Sequence, residues 1–252
     1  MTNQLIEKHD PFLDHRNCPV RIAVLSDIHA NLPALEVVLK KTEELQADRI
    51  YCLGDIVGYG PFPNECTDLV RKRCSLVVKG NHDSGVTGET DISDFNQYGQ
   101  EAIRWTTTKI TQENLDYLRS LPLTLNEGDS TLVHASPVRP QEWTYVLSLQ
   151  QALETFQAFS TRHCFIGHTH IPIVVGEDVS INAYKPGVRH LINVGSVGQP
   201  RDGNPESAFG IIDARTQSYS LYRVPYDVKK TATAMKSAGL PSFLGKRLFR
   251  GR

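Results

Sequence analysis

The sequence predicts an α/β fold of two sheets in one domain. Three observations carry this: strand-like and helical stretches alternate through the first third, short apolar runs alternate with turns from Leu123 onward, and no linker or repeat divides the chain. Val20 to Leu25 is the first dense apolar run, rich in branched residues that favour strands. Asn31 then stands as a helix N-cap before Leu32, Leu35, Val38, Leu39 and Leu45, whose spacing by threes and fours marks an amphipathic helix, and Ile50 to Leu53 returns to strand character. A helix over Asn64 to Arg73 and a strand over Ser75 to Val78 continue the pattern, so this third reads as parallel sheet with crossover helices.

The middle is helical, over Phe95 to Ile110 and Thr111 to Arg119, with Thr111 as a cap. A second sheet begins near Leu123. Its apolar runs are Leu123 to Leu125, Thr131 to Val133, Cys164 to Ile166, Ile173 to Val175, Leu191 to Val194, Phe209 to Asp213 and Tyr219 to Val224, interrupted by a helix over Ser148 to Phe159. Residues 1–19 form a polar arm and 20–252 a single domain. The tail LPSFLGKRLFRGR reads as a C-terminal helix packed on the domain with Lys246, Arg247 and Arg250 solvated, in preference to a membrane-docking segment.

Lys and Arg total 27 against 28 Asp and Glu, so the chain lacks the global basic field that non-specific nucleic-acid or membrane-surface binding uses. No segment approaches the roughly 20 apolar residues of a membrane span, and the charged N-terminus has no secretory apolar stretch, which points to the cytoplasm. Cys18, Cys52, Cys66, Cys74 and Cys164 form no CxxC pair, suit a reducing compartment and read as small core residues.

Five apolar runs end in polar clusters. VRIAVL leads into Asp27 and His29, RIYCL into Gly54 and Asp55, SLVVK into Gly80, Asn81, His82 and Asp83, STLV into His134, and CFI into Gly167, His168 and His170. Each block alone also reads as turn or cap chemistry, but five such strand ends can meet at one sheet edge, where open α/β sheets place their ligands. Carboxylate, carboxamide and imidazole donors without thiolate suit Mn, Fe, Zn, Co or Ni. Asp27, His29, Asp55, Asn81, His134, His168 and His170 exceed the needs of one ion; if one carboxylate bridges, two metals each receive four protein ligands with positions left open for water and substrate.

In this order the blocks resemble the calcineurin-like metallophosphoesterase superfamily, whose pattern is DxH, GDxx, GNH followed by D or E, a lone H, and GHxH. The resemblance runs from about Val20 to Asp213 and is nearest the small bacterial and archaeal phosphodiesterase-like branch, including the loop Asn193, Val194, Gly195, Ser196, Val197. It implies a four-layer α/β/β/α sandwich, and one metal, manganese above the others, on Asp27, His29, Asp55 and His170. A second would sit on Asp55, Asn81, His134 and His168, with Asp55 bridging. It also implies that His82 faces the scissile phosphate and that Asp83 holds the His82 ring in one tautomer.

The protein Ser/Thr phosphatases of the superfamily carry an Asp-Arg-Gly segment after the bridging aspartate, and its arginine grips the phosphate. Here that stretch is Gly54, Asp55, Ile56, Val57, Gly58, Tyr59, Gly60, which shifts the expectation from monoesters toward diesters or small nucleotide-like substrates. Tyr59, Trp143, Tyr145 and Arg201 follow motif blocks closely enough to line a cleft. The competing readings are a phosphomonoesterase or protein phosphatase, a nuclease, and a silent binding scaffold; the last is disfavoured because every ligand and His82 are intact. His9, His15, His163 and His190 lie outside every block and receive no function.

Overall fold

The alternation of the first strand already separates two layers. In the computed structural model, which describes residues 21–252, β1 (Arg21–Leu25) turns Ala23 and Leu25 into one buried cluster and Ile22 and Val24 into another, as period-two placement requires. The expected arm over 1–19, with Cys18, lies outside the described residues. Helix α1 (Leu32–Glu44) starts where Asn31 Oδ1 accepts the Ala34 N–H at 3.3 Å, with Pro33 in the first turn. Next come β2 (Arg49–Cys52), α2 (Pro63–Arg73), the two-residue β3 (Leu76–Val77) and α3 (Asn81–Thr87). Helices α4 (Gln97–Thr107) and α5 (Gln112–Ser120) follow, the latter capped by Thr111 Oγ1 on the Asn114 N–H at 3.3 Å.

The second half holds β4 (Thr124–Glu127), β5 (Ser130–Val133), α6 (Leu149–Thr155), β6 (His163–Ile166), β7 (Ile173–Gly176) and β8 (His190–Asn193). It ends with β9 (Ser207–Asp213), β10 (Ser218–Val224), α7 (Val228–Ser237) and α8 (Ser242–Leu248). Two mixed five-stranded sheets result, ordered β10-β9-β1-β2-β3 and β4-β5-β6-β8-β7. Their inner faces meet through Val24, Tyr51 and Leu53 on one side and Leu132, Phe165 and Ile192 on the other. Leu35 and Val38 of α1, Val70 of α2 and Leu118 of α5 cover the outer face of the first sheet. Ala152 of α6 with Phe156 covers the second sheet over Val133, Cys164 and Leu191, completing four layers, α/β/β/α.

One expectation changes, and two helices come in addition. The runs at Phe209 and Tyr219 do not extend the second sheet: β9 pairs antiparallel with β1, Arg21 opposite Asp213, and returns the chain to the first. The stretch after Gly80 is a helix, not a turn, because Asp83 on its first turn accepts the Gly80 N–H at 3.0 Å in place of the missing backbone acceptor. Helix α7, capped by Asp227 on the Lys230 N–H at 2.8 Å, buries only Thr231 and Met235 and so leaves little apolar periodicity to read. Cys52, Cys66 and Cys164 are buried free thiols and Cys74 is half-buried; burial pushes the Cys74 thiol up to about 12. No helix among the described residues is long and apolar enough to cross a membrane.

Candidate metal centre

β1, β2 and β3 run parallel in the first sheet, as do β5 and β6 in the second, so their carboxyl ends emerge along one edge. That edge brings all seven predicted ligands together. Asp27, His29 and His170 offer donor atoms within 4.8 Å of one another, as do Asp55, His134 and His168, and Asn81 Oδ1 lies 3.1 Å from His134 Nε2. All seven are buried. Asp27, His29, Asp55, His168 and His170 have φ between 51° and 66°, in the left-handed region that costs a residue with a side chain on the order of 1–3 kcal/mol. The chain leaves each strand by a sharp reversal that aims the side chain inward. Gly80 and Gly167 permit this, because a Cβ on either would strike the carboxylate of Asp55 or Asp27.

Backbone carbonyls fix three imidazoles. His29 Nδ1 donates to Val57 O at 3.2 Å, His134 Nδ1 to Leu53 O at 2.8 Å and His170 Nδ1 to Gln199 O at 2.5 Å. A carbonyl can only accept, so Nδ1 carries a proton in each ring, and Nε2 presents a lone pair whenever the ring is neutral. Those lone pairs face other acceptors: His29 Nε2 and His170 Nε2 are 3.1 Å apart, and His134 Nε2 lies 3.4 Å from Asp55 Oδ2 as well as near Asn81. Asp27 Oδ1 and His168 Nε2 are buried with no hydrogen-bond partner. Acceptors packed against acceptors are unfavourable unless positive charge lies among them, each orphaned group costing about 1–3 kcal/mol. The donor set therefore fits divalent cations, and fits them better than it fits protons.

The electrostatics carry the same signature. Burial would raise both Asp27 and Asp55, yet His170 for the first and His134 for the second hold them low. Burial alone lowers His134, but the charge of Asp55 overrides it and lifts the ring to about 9, a proton standing where a cation would otherwise neutralise the carboxylates. Burial takes His168 down to about 3.

His82 lies on the cleft side, its ring 4.8 Å from His29, 4.4 Å from Tyr59 and 5.0 Å from Phe95. Burial lowers it to about 4, so at neutral pH it is a neutral imidazole able to donate one N–H, not a cation. Its Nδ1 is buried without a partner. The expected contact from Asp83 is absent: Asp83 Oδ1 accepts the N–H groups of Ile56 and Val57 at 2.9 and 3.1 Å, and Oδ2 accepts that of Gly80. Three backbone donors saturate the carboxylate, which therefore ties the loop after β2 to the start of α3 and leaves the ring to its aromatic neighbours.

The cleft in front of these groups has a volume of about 400 Å³ and is walled by Tyr59, Phe95, Trp143, Tyr145 and His168, with Asp91, Asp94 and Glu142 at its rim. Tyr145 stacks on His168 at 3.8 Å, and Trp143 Nε1 donates to Thr90 Oγ1 at 3.2 Å. Tyr59, Trp143 and Tyr145 thus stand where the sequence suggested, whereas Phe95 and the three rim acids carried no motif signal. The carbonyls of Leu53, Val57 and Gln199 had none either, since a backbone acceptor leaves no trace in residue type. The Asn193 to Val197 loop stitches the two halves together: Ser196 Oγ donates to Asp27 O at 2.8 Å, and Asn193 Nδ2 to Gly167 O at 2.6 Å.

Residues 20–217 match the family described as the calcineurin-like phosphoesterase superfamily domain. A protein of Methanocaldococcus jannaschii that carries no assigned function is 42% identical over 241 residues, covering 92% of this chain and 98% of that one. The crystal structure of a metallophosphoesterase from Sphaerobacter thermophilus superposes with a TM-score of 0.83 at 41% identity over 92% of this chain and 99% of the other. A hypothetical protein of Pyrococcus horikoshii gives a TM-score of 0.76 at 25% identity, again over 92% and 99%. With the family pattern spanning most of its length, the chain belongs to the calcineurin-like phosphoesterase superfamily.

Proposed function

We propose that this phosphoesterase hydrolyses a phosphodiester bond in small, nucleotide-like substrates and works with two divalent metal ions, manganese foremost. The observation that carries the reading is the meeting of His29 Nε2 with His170 Nε2 and of His134 Nε2 with Asp55 and Asn81, acceptor against acceptor across two adjoining groups. Asp27, His29 and His170 would hold one ion, Asn81, His134 and His168 the other, with Asp55 shared between them. When bound, such a pair supplies Lewis acidity toward a phosphoryl oxygen and acidifies the attacking water.

The chain's own residues do the rest. His82, neutral and pressed among three rings, donates its N–H toward the phosphate and the departing oxygen. Asp83 keeps that helix start in register with the loop carrying Asp55. Tyr145 and Trp143 offer faces on which a planar organic group can stack, while Asp91, Asp94 and Glu142 repel a long polyanion and favour a small substrate over a polynucleotide. The absence of arginine between Gly54 and Gly60 supports a diester over a monoester at the cleaved position. Packing of α8 residues Leu244 and Leu248 on Tyr59 supports residues 20–252 acting as one unit.

The test is hydrolysis by the manganese-loaded chain of an aryl phosphodiester and its matching monoester, followed by cyclic and linear nucleotide diesters. Faster turnover of the diester supports the reading. A strong monoester preference replaces it with a phosphomonoesterase, and no turnover of either class replaces it with a silent scaffold.

A further inference from the structure

Three of the four ligand imidazoles are held by backbone carbonyls, through the Nδ1 contacts of His29, His134 and His170. His168 is the exception. Its backbone is fixed, with φ at 66° and its N–H donated to Asp27 Oδ2 at 3.0 Å. Among the described residues, however, neither nitrogen of its ring makes a hydrogen bond, and Nε2 is buried. A ligating imidazole needs an outer partner that sets the plane of its ring, and a hydrogen bond ordinarily supplies one.

What meets the His168 ring is Tyr145. The two rings stack with centroids 3.8 Å apart and planes 22° from parallel, while His134 stands edge-on to the same imidazole at 5.0 Å. A face-on partner blocks rotation about the Cβ–Cγ bond, since turning the imidazole would drive its edge into the tyrosine.

Tyr145 is itself held from both sides, in the loop that runs from His134 at the end of β5 to the start of α6. Two residues before it, Trp143 Nε1 donates to Thr90 Oγ1 at 3.2 Å, and that hydroxyl shares a 2.7 Å contact with Ser84 Oγ of α3. Two residues after it, the Leu147 N–H donates to Gln151 Oε1 at 2.8 Å, which also accepts the Ser148 N–H at 3.1 Å. Trp143 has φ at 53°, a conformation that a bulky residue keeps only where its surroundings impose it. With Tyr145 still 44% exposed, burial of its ring is not what these anchors secure; the stack on His168 is.

The geometry points to Tyr145 as a positioning residue of the metal centre: it fixes the plane of the His168 ring and thereby sets how tightly the ion assigned to Asn81, His134 and His168 is held. The inference rests on the two-metal reading above. The ion assigned to Asp27, His29 and His170 has both of its imidazoles tied to carbonyls and does not depend on Tyr145.

The metal-loaded full chain, equilibrated against a graded chelator and analysed for retained manganese, should release its ions in two steps. Tyr145→Ala should weaken one step at least about 10-fold, the lower end of what losing a ligand's outer partner costs, and leave the other within about 3-fold. Tyr145→Phe, which keeps the ring face and drops the hydroxyl, should retain both ions as the parent does. In a His168→Ala background the Tyr145→Ala exchange should change the remaining metal affinity by less than about 3-fold, because the ring it acts through is gone. Parental retention by Tyr145→Ala, a Phe variant as weak as the Ala one, or an undiminished effect in the His168→Ala background overturns the assignment. A parent that holds a single ion removes the two-metal reading instead, and the same three comparisons then decide the role of Tyr145 on that ion.

Discussion

Asp55 Oδ1 accepts the backbone N–H of His82 at 2.8 Å, so the carboxylate proposed to bridge two metals also seats the first turn of the helix that carries the proposed phosphate-facing imidazole. Metal binding and positioning of His82 are thereby coupled through one side chain.

Replacing Asp55 should consequently cost more than one ligand. Asp55→Ala is expected to lower metal content from about two ions per chain to fewer than one, because a bridging carboxylate serves both. Asp55→Asn, which keeps an acceptor for the His82 N–H, should lose metal with less disturbance of α3. Elemental analysis of dialysed protein and circular dichroism read the two effects. A folded Asp55→Ala protein that holds two ions tightly removes Asp55 from the bridging position.

His82→Ala should keep both metals and the fold while turnover falls roughly 10²–10⁴-fold, the scale of removing a positioned proton donor. The ring touches His29, Tyr59 and Phe95 and donates to no carboxylate, so its loss leaves the metal ligands' own hydrogen bonds in place. The loss should shrink for a nitrophenolate leaving group, which departs without a proton. Equal rates for the variant and the parent on poor leaving groups would place the catalytic donor elsewhere.

Asp83→Asn should act through stability more than through the ring. Both oxygens of Asp83 accept backbone N–H groups, and an amide offers one oxygen while turning its NH₂ toward a donor. The expected cost is about 1–3 kcal/mol from the buried groups left unpaired, read as a lower melting temperature together with weaker metal retention. A variant with parental melting behaviour and a selective loss of turnover would restore the sequence expectation that Asp83 orients His82.

His163 sets a separate expectation for acid stability. It is buried opposite His190 across β6 and β8, its Nε2 is 2.8 Å from the Tyr184 hydroxyl, and burial, then the Arg162 charge, lowers it to about 3. An unfolded histidine titrates near its ordinary value of 6.5. Between those limits the unfolded chain binds a proton that the folded chain refuses, so the contribution is intact above about pH 6.5 and is lost as the pH falls toward 3, at up to about 1.4 kcal/mol per pH unit. His163→Gln should flatten this acid limb in denaturant titrations at pH 4 to 6.5 relative to the parent. An unchanged slope means the ring already protonates in the folded state.

The sequence by itself named the family pattern and the candidate ligands. Asp27, His29, Asp55, Asn81, His134, His168 and His170 could be named because donor type is written in the residue and because a strand followed by a polar reversal is a local pattern. The first sheet's parallel strands and their helices were legible for the same reason: the spacing of apolar residues within α1 or β1 is set by the geometry of a single element.

Tertiary structure alone decided which sheet β9 and β10 would join, since alternation states that a strand has a buried face but not which neighbour buries it. It decided that Asp83 would answer the amides of Ile56 and Val57 instead of His82, that Leu53, Val57 and Gln199 would orient three imidazoles, and that Leu244 and Leu248, from the far end of the chain, would pack with Tyr59. These contacts join residues remote in sequence, and several use backbone groups that every residue possesses. Which of them meet depends on how the layers pack, and packing is a property of the whole chain.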